Sequence, residues 1–348
     1  MTSALNRVYW EQHILRPAWR DPSFYLQQGC GAVWDVLVRQ PGTWDAARVA
    51  AELLPRLAAI PTILSDGRSN LGAAASTAAP TSSPTSSPTS SPTAALGQLY
   101  LDTVAYNATT QTTPLGLALE SSTAAIIDAA RPPLDTATAA TLTAAAHAAA
   151  SSLQSFSVFV ALGTAHWSTN SSIGSENYLW FLRHVSLVNT TTDALLQMGR
   201  QQLSRARAMA DVERRRNDRA GVPPTVPLAT DLASQINATA KSSAFVKAFL
   251  AREGLLQLPS WFEESAAYRV EGIPTWLAPF QYSQVGEEDD FTSAALSKAQ
   301  THHTSFARYV PGPTEGMPFF LDSLARDARP VIVHEGIPGH FTQFSYSW

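Results

Sequence analysis

Apolar positions return every three or four residues over most of this chain, the repeat that lays one apolar stripe along an α-helix. Residues 1–70 read as helical hairpins, with "TSALNRVYWEQHILR" as one segment and "TWDAARVAAELLPRLAAIPTIL" as the next. In the second, Thr43 is placed to cap the helix ahead of Asp45, and Ala47, Val49, Leu53, Leu57 and Ile60 form the expected buried stripe. An Ala-rich helix is predicted over residues 134–165, with Pro133 and Asp135 at its start. A further one, "TTTDALLQMGRQQLSRARAMADVERRR", has Thr190 or Thr191 as cap, Asp193 in its first turn and Arg214, Arg215 and Arg216 at its end, the order the helix dipole favours. Its stripe of Leu196, Gly199, Leu203, Ala206 and Ala210 is expected to be core. After another helix near 230–252 the pattern changes: "LQLPSWFEESAAYRVEGIPTWLAPFQYSQVGEEDDF" is rich in proline and aromatics, which fits short strands or extended loops. The pattern as a whole predicts a mainly α, multi-helix protein with a small β or irregular patch before its last helix.

One stretch breaks the pattern altogether. Residues 79–94, "APTSSPTSSPTSSPTA", repeat P-T-S-S and offer neither apolar surface nor continuous helix, so they read as a mobile inserted loop. This divides the chain into an N-terminal helical part (1–72), a low-complexity insertion (73–95), a helical body (96–256) and a cleft-forming segment (257–348).

Composition narrows the function classes. With 348 residues and 45% hydrophobic content the chain can bury a substantial core. A net charge of -4 with only 15% charged residues lacks the basic footprint of a nucleic-acid binder, and the one basic run, "VERRRNDR", is interleaved with acids as on a solvated helix. Cys30 stands alone, which precludes an intrachain disulfide and a cysteine-based zinc site and suits a buried apolar role. The longest apolar stretches are diluted by Thr, Ser and His or are too short for a membrane span of about 20 residues, and "TSALNRVYWEQHILR" after Met1 lacks the apolar core of a signal peptide. Four N-x-S/T sequons, at Asn107, Asn170, Asn189 and Asn237, keep secretion open.

The chemistry concentrates in "VHEGIPGHFTQ", residues 333–343. In H-E-x-x-H two imidazoles four positions apart share one helical face and can hold zinc. Here the order is His334, Glu335, Gly336, Ile337, Pro338, Gly339, His340. An i+6 partner on a regular helix lies about 120° away and about 9 Å along the axis, so an undistorted helix would point the two His apart. Pro338 forbids such a helix, because it lacks the N–H that would bond the His334 carbonyl and its ring collides with that carbonyl. Gly339 accepts dihedrals that other residues resist. Together they are expected to bulge two residues out of the helix and return His340 to the face of His334. Asp327 can cap this helix and Pro330 falls in its first turn. Upstream, "PGPTEGMPFFLDSL" reads as a turn followed by an apolar run, through Phe319 and Phe320, short enough for a strand. In metallopeptidases such a strand commonly borders the cleft and pairs with peptide, which makes Phe319 and Phe320 candidate substrate contacts.

Taken in order, "RDPSFYLQQ", "IGSENYLWFLRHV", "TTDALLQMGRQQL", "YVPGPTEGMPFF" and "HEGIPGHFTQ" resemble the bacterial and protist proteins grouped as domain of unknown function family 885. That family is similar to the mostly helical zinc peptidases of the thermolysin-like superfamily, with a hallmark H-E-x-x-P-G-H and a Gln three residues on. The resemblance covers nearly the whole chain, with the P-T-S-S tract as an insertion. It implies zinc ligation by His334 and His340, with Glu335 as general base and Gln343 supporting the ligands or packing the helix. The family's pattern has a second His directly after P-G-H, where this chain has Phe341. A third ligand, by resemblance a Glu on a following helix, is expected beyond Trp348. The implied activity is zinc-assisted hydrolysis of a peptide substrate. The alternative is a noncatalytic helical interaction protein that retains the metallopeptidase fold.

Other clusters carry less. "THH" at 301–303 reads as a surface pair, the acids Glu287, Glu288, Asp289 and Asp290 as a solvated loop, and Glu263 and Glu264 have no partner that sequence identifies. No G-x-S-x-G, phosphate loop or dinucleotide fingerprint is present.

Overall fold

A computed structural model describes residues 2–38, 44–76, 92–104, 107, 111–221, 226–258, 267–280, 287–289, 305–310 and 319–346. The helices are α1 (Thr2–Tyr9), α2 (Pro17–Arg20), α3 (Ser23–Leu26), α4 (Ala32–Val38), α5 (Ala46–Arg48), α6 (Leu54–Ser76), α7 (Ala94–Val104), α8 (Pro114–Ala129), α9 (Thr136–Thr164), α10 (Ser175–His184), α11 (Thr192–Ala220), α12 (Leu232–Arg252), α13 (Phe319–Arg326), α14 (Arg329–Val331) and α15 (His340–Tyr346). Wider π-type turns occupy Trp10–Leu15, Gln27–Gly31, Val49–Leu53 and Ile332–Gly336. Three short strands, β1 (Ala267–Gly272), β2 (Glu287–Asp289) and β3 (Ser305–Val310), complete a mainly α architecture. Thr43, the "THH" triplet, Glu263, Glu264, Asp290 and residues 79–91 of the P-T-S-S tract lie outside the described residues.

The chain divides into two compact units, each assembled from separated stretches: 1–34, 46–120 and 134–222 in one, 35–45, 121–133 and 223–348 in the other. The first is built on α6, α7 and α9. Asp135 caps α9 by accepting the N–H of Thr138 at 2.8 Å, as its position in the sequence predicts. Leu142, Ala146, Ala149, Leu153, Phe156 and Val160 then recur along the buried face of α9. Against them stands α6, with Leu57, Ile60 and Leu64 buried, and Val49 and Leu53 of the preceding π-turn are buried as well. Ala47, expected in that stripe, is exposed, because the π-turn at Val49–Leu53 rotates the residues before it off the helical face. Each large aliphatic side chain buried here contributes about 2 kcal/mol of transfer free energy. Phe156 sits between Tyr25 and Tyr100 with ring centroids 6.1 and 5.5 Å away, both edge-on. By length and composition α9 could cross a membrane, but its apolar stripe packs on α6 and α7.

The largest departure from expectation is α11. Thr191 caps it by accepting the N–H of Ala194, and Gly221 ends it in the left-handed conformation (φ 65°). Yet none of its residues is buried, so the stripe through Leu196, Gly199, Leu203, Ala206 and Ala210 is not core. An amphipathic pattern states which face a helix would bury; it does not supply the surface to bury it against.

The second unit centres on α12 and the sheet. The strand order is β1-β3-β2, with β1 parallel to β3 and β2 antiparallel to it. The acids Glu287, Glu288 and Asp289, expected in a loop, form β2 and pair with β3 at Arg308, Ala307 and Phe306. Asp231 caps α12 through the N–H of Ser234 at 2.7 Å, and α12 runs against β1, β3 and α14. Trp44, fully buried, stands edge-on to Trp276, whose indole N–H donates to the Leu37 carbonyl at 3.3 Å.

Candidate metal centre

The approach to the His pair is set by charge and capping. Asp322 and Arg326 form a two-pronged ion pair one turn apart on α13, at 2.8 and 3.0 Å. Asp327 accepts the backbone N–H of Arg329 at 3.0 Å and both prongs of its guanidinium, which holds the Asp327 carboxyl below its usual range. Pro330 lies in the first turn of α14, where a missing N–H costs nothing.

From Ile332 the helix widens into a π-turn that carries His334 and Glu335 and ends at Gly336. Ile337 is extended (φ -121°, ψ 117°), the Ile337–Pro338 bond is cis, and α15 starts at His340. The motif is thus two helices joined by a break, where the sequence suggested one helix with a bulge. The reason is Pro338: without its N–H the first helix cannot continue past His334's carbonyl, and the chain turns instead of bulging. Gly339 makes the turn possible, since a Cβ on it would overlap the carbonyl of His334 and stand 2.7 Å from the Val333 oxygen. The Gly339 carbonyl then receives the N–H of Gln343 at 3.0 Å, the first bond of α15.

Both arms are anchored on α12. Ile332 is fully buried with Val246 and Ala328, while Ile337 and Phe341 are buried against Leu256 and Leu258. Leu250 packs on both clusters, so one side chain of α12 supports the helix before the break and the helix after it. Thr342, also buried, donates to the Gly336 carbonyl at 3.4 Å across the break. Sequence reasoning missed Leu250 and Thr342; the only signal was that an apolar residue at 250 continued the face of Val246 one turn on.

The outcome is that the rings of His334 and His340 lie 5.1 Å apart between centroids and nearly perpendicular, at 85°. Two imidazoles sharing one tetrahedral ion at metal–nitrogen distances of about 2.0–2.1 Å have centroids about 5.2 Å apart, so the observed spacing fits that arrangement. The rings border an open groove of about 550 Å³ lined also by Pro330, Val333, Pro338, Gly339 and Gln343. The position after His340 belongs to Phe341, which is 1% exposed and turned into the apolar cluster, away from the groove. A His there would face Ile337 rather than His334.

Other expectations meet the structure differently. Phe319 and Phe320 open helix α13 instead of lying on a strand; the strand that precedes the motif is β3, at Ser305–Val310. The helical signal was the i,i+4 pair Asp322–Arg326, which the apolar run obscured. The side chains of Phe319, Phe320 and Glu335 lie outside the described residues. Among the described residues no third His, Cys, Asp or Glu joins the two imidazoles.

A sequence profile described as "Bacterial protein of unknown function (DUF885)" matches residues 30–348. The chain belongs to the DUF885 family. No curated protein and no solved structure matches it. The DUF885 match includes α4 through α15 and therefore the whole of the His-bearing segment.

Proposed function

We propose that this DUF885 protein is a zinc-dependent peptidase in which His334 and His340 supply two metal ligands and Glu335 is the general base. The single observation that carries the reading is the 5.1 Å, near-perpendicular apposition of two imidazoles six residues apart, produced by a break that Pro338 and Gly339 enforce. A structural role for the two His would not require them to meet at the lip of an open groove. Burial of Ile332 on one side and Ile337 and Phe341 on the other holds both ligands without relying on the metal. Such catalytic sites use three protein ligands, of which the described residues bring together two, His334 and His340. When bound, the metal supplies Lewis acidity, polarising a carbonyl and acidifying a water. Glu335, next to His334 in the π-turn, takes a proton from the attacking water and passes it to the leaving amine.

The test is metal analysis and peptide hydrolysis on the wild type, Glu335→Gln and His334→Ala. Wild type and Glu335→Gln should each carry stoichiometric zinc, and His334→Ala should not. Hydrolysis should fall about 10²- to 10⁴-fold in Glu335→Gln. Equal turnover by Glu335→Gln and wild type, or absence of stoichiometric zinc from both, would overturn the reading.

A further inference from the structure

The exposed face of α11 has a chemistry specific enough to name its occupant. Every residue from 196 to 220 is exposed, a free helical rod of 25 residues or about 37 Å. Leu196, Leu203 and Ala210 recur at intervals of seven, with Gly199 and Ala206 between them, so they form one seam along the rod. Leu196 and Leu203 are 57% and 52% exposed. Gly199 and Ala206 are each followed by an arginine, Arg200 and Arg207, and Arg214 continues that row one heptad on, behind Glu213, which ends the apolar seam. They line one flank of the seam from end to end.

The charges on α11 leave two of the three arginines of that flank, Arg200 and Arg207, without an acid of their own. The helix holds seven Arg against Asp193, Asp211, Glu213 and Asp218, a net of +3 on a chain whose total is -4. Arg214 is paired with Asp211, and Arg216 with Glu213 at 2.7 Å. Arg200 has no acid within one turn, and the acid one turn after Arg207 is the Asp211 already held by Arg214.

We propose that α11 is a docking surface for an amphipathic helix that carries apolar residues at heptad spacing and carboxylates along one flank. Gly199 and Ala206 let a second helix approach closely, Leu196 and Leu203 give it apolar contact, and the arginine row selects its charge. A second copy of α11 fits poorly. Pairing in antiparallel sense sets the arginine row against itself, and parallel pairing sets it against Gln202, Met209 and Arg216. A lipid surface or a phosphate backbone would satisfy the arginines but gives no reason for a straight heptad seam, and α11 has no aromatic residue to anchor it in a bilayer interface. This inference is independent of the peptidase reading.

The test uses three labelled synthetic peptides of about 28 residues, long enough to cover the rod. One has Leu at the seam and Glu on both flanks; a second replaces each Glu by Lys; a third scrambles the first. Fluorescence anisotropy should show the Glu peptide binding roughly tenfold more tightly than the Lys peptide in about 50 mM salt, with the difference shrinking in about 500 mM salt. Arg200→Glu with Arg207→Glu should reverse the preference, and Leu196→Asp with Leu203→Asp should abolish binding of both seam peptides while leaving the circular dichroism spectrum unchanged. Equal binding of the Glu peptide and its scramble would overturn the proposal, as would equal binding of the Glu and Lys peptides. So would a dimer in sedimentation that Leu203→Asp dissolves, which would identify a second copy as the occupant, or binding to phosphatidylserine vesicles or duplex RNA with none to the Glu peptide.

Discussion

Replacing Gly339 by alanine should dismantle the His pair without touching either imidazole. A Cβ at this position would overlap the His334 carbonyl and lie 2.7 Å from the Val333 oxygen. Carbon and carbonyl oxygen come no closer than about 3.3 Å without cost, so the Val333 oxygen must retreat about 0.6 Å and the His334 carbonyl considerably more. Neither is the loose end of a flexible side chain; both are backbone of the turn that carries His334. Its ring is therefore displaced by several times the tolerance of about 0.2 Å that a metal–nitrogen bond allows. Overpacking of this kind costs about 1–3 kcal/mol of stability, and, on the proposed reading of the site, misdirected ligands should weaken zinc binding about 10- to 100-fold. Competition against a chromophoric chelator measures the second effect, and thermal unfolding in excess chelator isolates the first. Gly199→Ala is the control: its Cβ meets nothing within 4 Å on exposed α11, so the substitution should stabilise the protein by up to about 1 kcal/mol and leave zinc untouched. Wild-type zinc affinity in Gly339→Ala, with an unchanged metal-free melting temperature, would refute the argument that the Pro-Gly break sets the ligand spacing.

Phe341→Ala should lose about 3–5 kcal/mol in urea unfolding, because the ring is 1% exposed and packs beside Ile337; Phe341→His should also destabilise, with no gain in zinc affinity. Cys30 is buried, which pushes its thiol up to about 12, so Ellman's reagent at about pH 8 should detect no thiol in the native protein and one after denaturation. Asp327→Ala should cost about 1 kcal/mol at neutral pH through loss of the cap on Arg329. Since Arg329 holds the Asp327 carboxyl below the ordinary value of about 3.9, its contribution is present above about pH 4 and disappears as pH falls through the depressed value. Urea midpoints of wild type and Asp327→Ala should therefore differ at neutral pH and converge in strong acid.

Helix starts and core stripes are legible residue by residue, because capping and periodicity are local. Asp135 and Thr191 are read as helix starts from their own side chains and the few residues that follow, and each accepts the N–H three positions on. Leu53, Leu57 and Ile60 are core because the same helix turns them to one side. The incompatibility of Pro338 with a continuing helix is likewise covalent, and it alone requires an interruption between His334 and His340. Contacts between residues far apart in the chain govern the rest. Whether the apolar stripe of α11 is covered depends on a neighbour, and among the described residues none is there. Glu287–Asp289 is a strand because β3 offers a partner edge, and Phe319 is helical with the Asp322–Arg326 pair behind it. The residues sharing each compact unit come from stretches as distant as 35–45 and 223–348. Local residue chemistry therefore dictates where helices begin, where the last one must break, and which two imidazoles bracket the break. The break at Pro338 and Gly339 turns the two rings toward each other, and packing of Leu250 against both arms holds them at 5.1 Å, because a distance across a chain reversal depends on what the two arms lean on as well as on the dihedrals their own residues prefer.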